Sequence, residues 1–412
     1  MSIDVKMAWR NIWRNPRRTI LTICAIAFAS LLLVFMLSFQ FGSYETMINT
    51  SVKIQTGHLQ IQADEYQKRK SIRRVVPEPQ KISQLLETIP KIEAYTFRGH
   101  AFSLISSEER TYGVAVTGID PQREAKVSRL KSLIREGQFL SESDVNQALV
   151  GKLLAKNLRI TPGDEVTVLG QGRDGSIAAT VVLVKGIYSS GIDEFDRVSI
   201  HIPLKTFQEI YVMGDAIHEI VIIAESLADV DTIKRSLNAQ FRSQNPEKPL
   251  VAVDWEELMP GLRQSIEMDL VSGLIFYFLL IIVVAFSILN TFLMAIFERT
   301  KEFGVLMAIG TTPGRLTKVL LIESMTITWI GTIAGMIIGS LITIYFQSQG
   351  FDISGASELL DRFGITGRIY PKLSWISAIS GPMAVLMITF FAALYPALKI
   401  QRMQPIEAMR AV

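Results

Sequence analysis

Four long runs without a charged residue divide the chain. They cover residues 19–44, 270–297, 324–351 and 373–398. Each can cross a bilayer as a helix, which takes roughly 20 apolar residues. We therefore predict four transmembrane helices, at residues 19–44, 269–297, 319–347 and 373–398. The first run is too long for a signal-peptide core and has no small-residue cleavage site after it, so we predict that it is retained.

The basic residues that flank these runs are unevenly distributed between the two sides. They lie before the first run, between the second and third, and after the fourth: Arg10, Arg14, Arg17, Arg18; Arg299, Lys301, Arg315, Lys318; Lys399, Arg402, Arg410. By the positive-inside rule these three segments are cytoplasmic. We predict an interfacial helix at residues 1–18, with Trp9 and Trp13 at headgroup level, and a cytoplasmic tail at 399–412. Residues 45–268 and a short loop at 348–372 then lie in the periplasm.

The large insertion mixes two hydrophobic periods. Alternating, strand-like runs occur at residues 58–62, 101–106, 111–118, 165–169, 178–187, 198–202, 219–224 and 250–253, and helical spacing occurs at 80–89, 151–158 and 228–241. We predict an α+β domain of two subdomains that join near residues 100 and 215. No flexible linker interrupts either junction with the membrane helices, which predicts stalk helices. The fold class is thus an α-helical membrane protein with an α+β domain between helices 1 and 2.

Composition and motifs argue against several functional classes. The net charge of +3 is too small to indicate nucleic-acid binding, and the single cysteine leaves no disulfide framework. No G-x-x-x-x-G-K-[ST] motif occurs, and a G-x-G-x-x-G match at residues 170–175 precedes a strand rather than a helix, which favours a hairpin turn. The four histidines lack metal-ligand spacing. We predict a non-catalytic chain without a cofactor or metal of its own.

Two patterns in the membrane segments bear on mechanism. Gly331, Gly335 and Gly339 recur every four residues, which predicts a smooth face for close helix packing. The four uncharged runs contain no Asp, Glu, Lys, Arg or His, which argues against an ion-coupled transporter. Energy for transport would therefore come from another source.

The segment at residues 298–316 starts with charges and continues with apolar side chains at helical spacing. Spacing alone leaves two interpretations open. The segment is either an amphipathic connector at the lipid surface or a coupling element on which a soluble partner acts.

Three motifs resemble the FtsX-like permease family, which includes MacB-type exporters and lipoprotein-releasing permeases. They are AWRNIWRNPRRTILT at residues 8–22, ERTKEFGVLMAIGTTPGRL at 298–316 and YPALKIQRMQPIEAMR at 395–410. The resemblance implies a mechanotransmission ABC transporter, in which a dimer of separate ATPases binds ATP and magnesium and docks at the cytoplasmic face. It favours the coupling interpretation of residues 298–316. The implied ATPase contacts are Arg299, Lys301, Glu302, Phe303 and Leu306.

Residues 116–140 and 148–166 resemble the lipoprotein-releasing branch in particular. The resemblance implies an inner-membrane permease paired with a second copy or a sister permease, which moves lipoprotein-like cargo toward a periplasmic carrier or adaptor. Cargo would enter from membrane lipid between spans one and two, with Phe35, Phe39 and Phe276 as candidate lining residues. Two alternatives stay open, namely MacB-like efflux with a membrane-fusion partner and FtsX-like regulation of a cell-wall hydrolase.

Overall fold

The computed structural model describes residues 3–244, 250–352 and 368–401. These residues form two compact units. One contains the chain up to Tyr44, Ile266–Asp352 and the chain from Arg368, and the other contains Glu45–Ser265. Parts of the predicted loop at 348–372 and tail at 399–412, including Arg402 and Arg410, lie outside the described residues.

The described helices, in chain order, are α1 (Ile3–Ile12), α2 (Pro16–Val52), α3 (Pro79–Thr88), α4 (Pro121–Val127), α5 (Lys152–Leu158), α6 (Asp193–Val198), α7 (Leu204–Ile210), α8 (Val230–Gln244), α9 (Trp255–Leu258), α10 (Pro260–Ala308), α11 (Pro313–Gln349) and α12 (Trp375–Gln401). Short 3-10 turns occupy Leu130–Leu133 and Leu227–Asp229. Among the described residues, α2, α10, α11 and α12 are the helices long and apolar enough to cross a membrane.

The described strands are β1 (Leu59–Ala63), β2 (Ile92–Ser106), β3 (Thr111–Ile119), β4 (Ile134–Gly137), β5 (Gln147–Gly151), β6 (Glu165–Gln171), β7 (Ile177–Tyr188), β8 (Ser199–Pro203), β9 (Glu219–Ala224), β10 (Leu250–Asp254), β11 (Phe351–Asp352) and β12 (Arg368–Ile369). The first ten form one sheet in the order β10-β1-β9-β2-β3-β8-β5-β7-β4, with β6 bridging β2 and β7. Only the pairs β3–β8 and β5–β7 are parallel among the described ladders.

The predicted separate helix at residues 298–316 is not present. Helix α10 continues through this segment to Ala308, and α11 begins at Pro313. The physical reason is the position of the breakers. Gly304 is the single glycine between Phe297 and Ala308 and this stretch contains no proline, whereas Gly310 adopts φ of 102° and Pro313 stands in the first turn of α11, where proline is tolerated.

The third span contains a buried charge. Helix α11 contains Glu323, whose side chain is buried and paired with Arg299. An ionisable residue therefore lies within a membrane-type helix, ahead of the uncharged run. The pairing with Arg299 makes this burial tolerable, because an unpaired carboxylate in an apolar surrounding is strongly disfavoured.

The glycine face of α11 packs against α2. A Cβ atom on Gly335 would lie 2.2 Å from the carbonyl oxygen of Ala27, and one on Gly331 would lie 2.9 Å from Ile26. At Gly339 the nearest atom is Cα of Leu31, at 3.1 Å. The two backbones approach so closely because these positions carry no side chain.

Two large hydrophobic clusters lie along the sheet of the α+β unit. One gathers side chains of β1, β9 and β10 with α3 and α8, and the other gathers β3 and β5–β8 with α5 and α7. The division falls near the predicted positions 100 and 215, but β2 runs through both halves. The segment 170–175 ends β6 and enters the hairpin turn to β7, in agreement with the prediction of a hairpin.

Candidate functional site

An exposed turn joins α10 to α11 at residues 309–312. Ile309 is 78% exposed at its tip. The turn is closed by two backbone hydrogen bonds, in which Gly310 N donates to Met307 O at 3.0 Å and Thr311 N donates to Leu306 O at 3.0 Å. Only a residue without a Cβ adopts the backbone angles of Gly310 at little cost. The turn is therefore a defined surface feature rather than a loose loop.

The inner side of the turn is apolar. Phe303, Met307 and Leu316 are buried in a cluster that also contains Ile296, Leu320 and Ala397, and Leu306 packs against it. Burial of a phenylalanine side chain stabilises by about 1.5–3 kcal/mol. The cluster joins the ends of α10, α11 and α12, so that the turn is held by the hydrophobic contacts of three helices.

A charge network surrounds this cluster. Arg299 donates to Glu323 at 3.1 Å, and its guanidinium carbon lies 5.5 Å from the ring centre of Phe303. Glu302 accepts two hydrogen bonds from Arg14, each of 2.7 Å. The hydrogen bonds from Arg14 hold the pKa of Glu302 below its usual range. Glu302 therefore stays ionised at neutral pH.

The network extends to the N-terminal segment. Arg18 donates to Glu298 at 2.6 Å, and Asp4 accepts from Arg315 at 3.0 Å and lies 3.8 Å from Lys318. A cavity of about 180 Å³ lies among these groups, lined by Asn11, Arg14, Asn15, Arg18, Thr19, Thr22, Thr291, Phe292, Glu298, Arg299, Glu302, Leu320, Glu323, Ser324 and Ile327. The lining is polar and its charges are balanced, with three arginines against three glutamates.

The five predicted ATPase contacts have different environments. Lys301 is exposed, Glu302 is half-buried against Arg14, and Leu306 is half-buried on the apolar cluster. Arg299 and Phe303 face the interior of the chain and contact its own residues. Near the turn, Lys301, Val305 and Ala308 are exposed on α10, and Ile309 is exposed in the turn itself.

The structure separates the three predicted cargo-lining residues. Phe35 and Phe39 stack on each other with ring centres 6.2 Å apart. Phe346 lies 5.9 Å from Phe35, and Phe351 lies 5.6 Å from Phe39. Phe276 on α10 is 71% exposed. The first two thus belong to an aromatic cluster between α2 and the end of α11.

Sequence reasoning did not identify the partners in the charge network. They are Asp4, Arg14, Arg18, Glu298 and Glu323. A signal for part of the network exists in the sequence, because Arg14 and Arg18 are four residues apart and so are Glu298 and Glu302. Equal spacing of opposite charges indicates that two segments can pair along one face. No comparable signal marks Glu323.

The histidines are less scattered than their sequence positions indicated. His100 and His218 have ring centres 6.4 Å apart, His100 pairs with Glu219, and the backbone N of His100 donates to Nδ1 of His218 at 2.9 Å. Each of these rings already has protein partners. Within the described ranges, no group of three or more His, Cys, Asp or Glu side chains is arranged to hold a metal ion.

Comparison with known proteins identifies the class. Residues 19–240 match the family model of the MacB-like periplasmic core domain, which is more than half of the chain. Residues 274–405 match the FtsX-like permease C-terminal region. The chain therefore belongs to the FtsX-like, MacB-type family of ABC transporter permeases. With its apolar helices, this membership indicates an inner-membrane protein with a periplasmic domain.

Individual relatives fall into two branches. The lipoprotein-releasing system transmembrane protein LolC of Xylella fastidiosa is 25% identical over 315 residues, which are 73% of this chain and 74% of LolC. The corresponding LolE of Haemophilus influenzae is 20% identical, with 80% of each chain covered. The macrolide export ATP-binding/permease protein MacB of Vibrio parahaemolyticus is 23% identical over 84% of this chain and 53% of its own length.

Proposed function

We propose that this permease extracts lipoprotein-like or amphipathic cargo from the outer leaflet of the inner membrane, driven by ATP hydrolysis in a separate ATPase subunit. The observation that carries the proposal is the similarity to LolC and LolE, which covers about three quarters of both chains. In this proposal the permease does no chemistry. It converts movement at the ATPase into movement of its helices and of the periplasmic domain.

The α10–α11 turn supports docking of the ATPase. Val305 and Ile309 are exposed apolar side chains beside the exposed Lys301. Removal of apolar surface from water is the main favourable contribution to most protein–protein association. The buried Phe303 and Arg299 would hold this surface in place from behind. The printed sequence contains no P-loop, so ATP and magnesium would be bound by the partner ATPase dimer.

The path of the cargo follows from the apolar helices. A lipid-anchored protein need not cross the bilayer, so that a polar channel is unnecessary. Two permeases, either identical or sister chains, would open a cleft between α2 and α10, with Phe35, Phe39 and Phe276 as candidate lining residues. A periplasmic carrier or adaptor would then accept the cargo.

A second candidate is efflux of a peptide, toxin or antibiotic with a membrane-fusion partner. The matches to the MacB-like periplasmic core domain and to MacB itself favour it. The two candidates share the ATPase and the coupling surface and differ in cargo and periplasmic partner.

The testing experiment measures ATP hydrolysis by the purified permease–ATPase complex in lipid nanodiscs, with and without a triacylated lipopeptide. Ile309→Asp places a charge on the exposed turn and should weaken ATPase docking on the order of tenfold. Phe303→Ala should uncouple hydrolysis by loosening the turn. Val145→Asp provides the matched control, because Val145 is 66% exposed but belongs to the α+β unit.

The outcomes test the coupling role of the turn and the identity of the cargo separately. A lipopeptide-dependent rate that Ile309→Asp abolishes and Val145→Asp leaves intact supports the whole proposal. If the turn variants uncouple but lipopeptide has no effect, the efflux candidate replaces lipoprotein extraction. Unchanged docking and turnover in Ile309→Asp would contradict the proposed role of the turn.

A further inference from the structure

The N-terminal segment is fastened to both helices that flank the exposed turn. On the α11 side, Asp4 accepts from Arg315 at 3.0 Å and lies 3.8 Å from Lys318. On the α10 side, Arg14 and Arg18 pair with Glu302 and Glu298. The segment therefore bridges the turn from its two sides.

The two arginine pairs oppose a shift of the N-terminal segment along α10. Arg14 forms a bidentate ion pair with Glu302, in which Nη1 and Nη2 each donate to a different carboxylate oxygen at 2.7 Å. Arg18 donates to Glu298 at 2.6 Å, one helical turn away. Hydrophobic contacts are non-directional, whereas charge-assisted pairs of this geometry hold one register. Both pairs lie at the surface, where the side chains of Arg14 and Arg18 are 60% and 29% exposed, so each pair contributes at most about 1 kcal/mol and the register depends on both together.

Arg18 lies in α2 itself, at the start of the first span. Helix α2 also contacts α11 through the glycine face around Gly335. Movement of the turn would thus be passed to α2 by two routes, one ionic through α10 and one by close backbone packing through α11.

We infer that Arg14 and Arg18 are positioning residues that make the α10–α11 turn and the start of α2 move as one body. A push on the turn then enters the first span directly through two ion pairs. The inference rests on the proposed function, in which an ATPase supplies that push. It assigns a mechanical role to a segment that would otherwise be only a membrane-surface anchor.

The experiment measures a distance within one chain by pulsed electron paramagnetic resonance. One spin label is placed on the native Cys24, which is exposed on α2, and the other on Thr312→Cys, an exposed position of the turn outside the proposed ATPase contacts. Labelled chains are diluted into an excess of Cys24→Ser chains, so that only distances within one chain are seen. The complete complex with its ATPase is studied in nanodiscs, without nucleotide and with a non-hydrolysable ATP analogue.

The variants are Arg18→Glu, Glu298→Arg and the double exchange of both. Arg17→Glu is the matched control, because it makes the same charge change one residue away, and Arg17 is exposed with no ion pair seen in the described part of the chain. We expect one narrow distance in the native chain and in Arg17→Glu, unchanged by nucleotide. Each single variant should lose this narrow distance, and the double exchange should restore it.

Two results would overturn the inference. They are a single narrow distance retained in Arg18→Glu and Glu298→Arg, or a native distance that changes with nucleotide. Failure of the native chain to bind the ATPase would instead contradict the proposed function. The nucleotide-free comparison of native and variant chains would still test the ion pairs in that case.

Discussion

At the scale of single residues, the most tightly enclosed ion pair lies in the α+β unit. Arg98 on β2 and Glu124 on α4 have side chains 5% and 2% exposed, and they share hydrogen bonds of 2.6 and 3.1 Å. Burial alone would raise the pKa of Glu124, but the charge and hydrogen bonds of Arg98 outweigh it and lower that pKa. The carboxylate therefore stays ionised although it is enclosed by protein.

We predict that Glu124→Gln destabilises the fold by about 3–5 kcal/mol, because it leaves the Arg98 charge buried without its partner. Glu78→Gln is the matched control, since Glu78 pairs with Lys81 at the surface and such pairs contribute at most about 1 kcal/mol. Thermal unfolding of the full chain in detergent, followed by circular dichroism, measures both. Equal losses in the two variants would contradict the interpretation of Arg98–Glu124 as a buried pair.

At the scale of elements, the contact between α2 and α11 depends on the absence of side chains. We predict that Gly335→Ala destabilises this contact by about 1–3 kcal/mol, because its Cβ would meet the Ala27 carbonyl oxygen at 2.2 Å. Gly314→Ala in the same helix should cause no loss, since nothing lies within 4 Å of a Cβ there. The fraction of folded protein after graded heating in detergent distinguishes the two. A Gly335→Ala variant as stable as the native chain would contradict the interpretation that α2 and α11 require this glycine for their contact.

Glycines also allow close packing in the sheet of the α+β unit. Gly99 and Gly118 face each other across β2 and β3, and the ring of Phe207 fills the space that both leave. A Cβ on either glycine would lie 2.3–2.4 Å from a Phe207 atom. This glycine pair and the face of α11 therefore serve a common purpose, which is close approach of another group.

At the scale of the whole molecule, buried histidines link folding to pH. Burial lowers the pKa of His58 and His218 to about 4 and that of His201 to about 3. Two of these rings also accept a backbone hydrogen bond at Nδ1, from Ala224 N to His58 and from His100 N to His218. Protonation at Nδ1 would break these bonds, so the neutral form is favoured in the fold.

We predict that the stability of the α+β unit is full above pH of about 6.5 and falls as pH decreases toward 4. In this pH range the histidines of the unfolded chain bind protons, whereas the buried histidines of the folded chain stay neutral. Each buried histidine therefore lowers the free energy of unfolding by up to about 1.4 kcal/mol for each pH unit of acidification. Urea unfolding at pH 7.5, 6 and 5 measures the slope. His218→Gln should reduce that slope by about one third. A slope of zero between pH 6.5 and 5 would contradict the prediction.

Glu219 affects the stability of the fold in a lower pH range than the histidines. Burial opposes its ionisation, but the charge and hydrogen bond of His100 lower its pKa to about 2. The ionised Glu219 contributes fully to the free energy of unfolding above a pH of about 4.5, and this contribution is lost as the pH falls below that value. Between pH 6.5 and 4.5 the histidines alone should therefore determine the slope among these groups.

Several features were predictable because they depend on residues close together in the chain. The apolar runs predicted membrane helices, alternation located most strands of the insertion, and the context of residues 170–175 predicted a hairpin turn. Small residues every four positions indicated a packing face on α11. Local periodicity and composition report such features, because each is decided within one element.

Other features required the tertiary structure, because they join residues far apart in sequence. Spacing could not show that α2 is the helix against the glycine face, that Arg299 and Phe303 face inward, or that Arg299 is the partner of Glu323. The pairing of Arg18 with Glu298 spans 280 positions. The sequence by itself determined which segments are apolar and which are mixed; the packing of those segments decided which charges meet, because a charge finds its partner only after distant helices have come together.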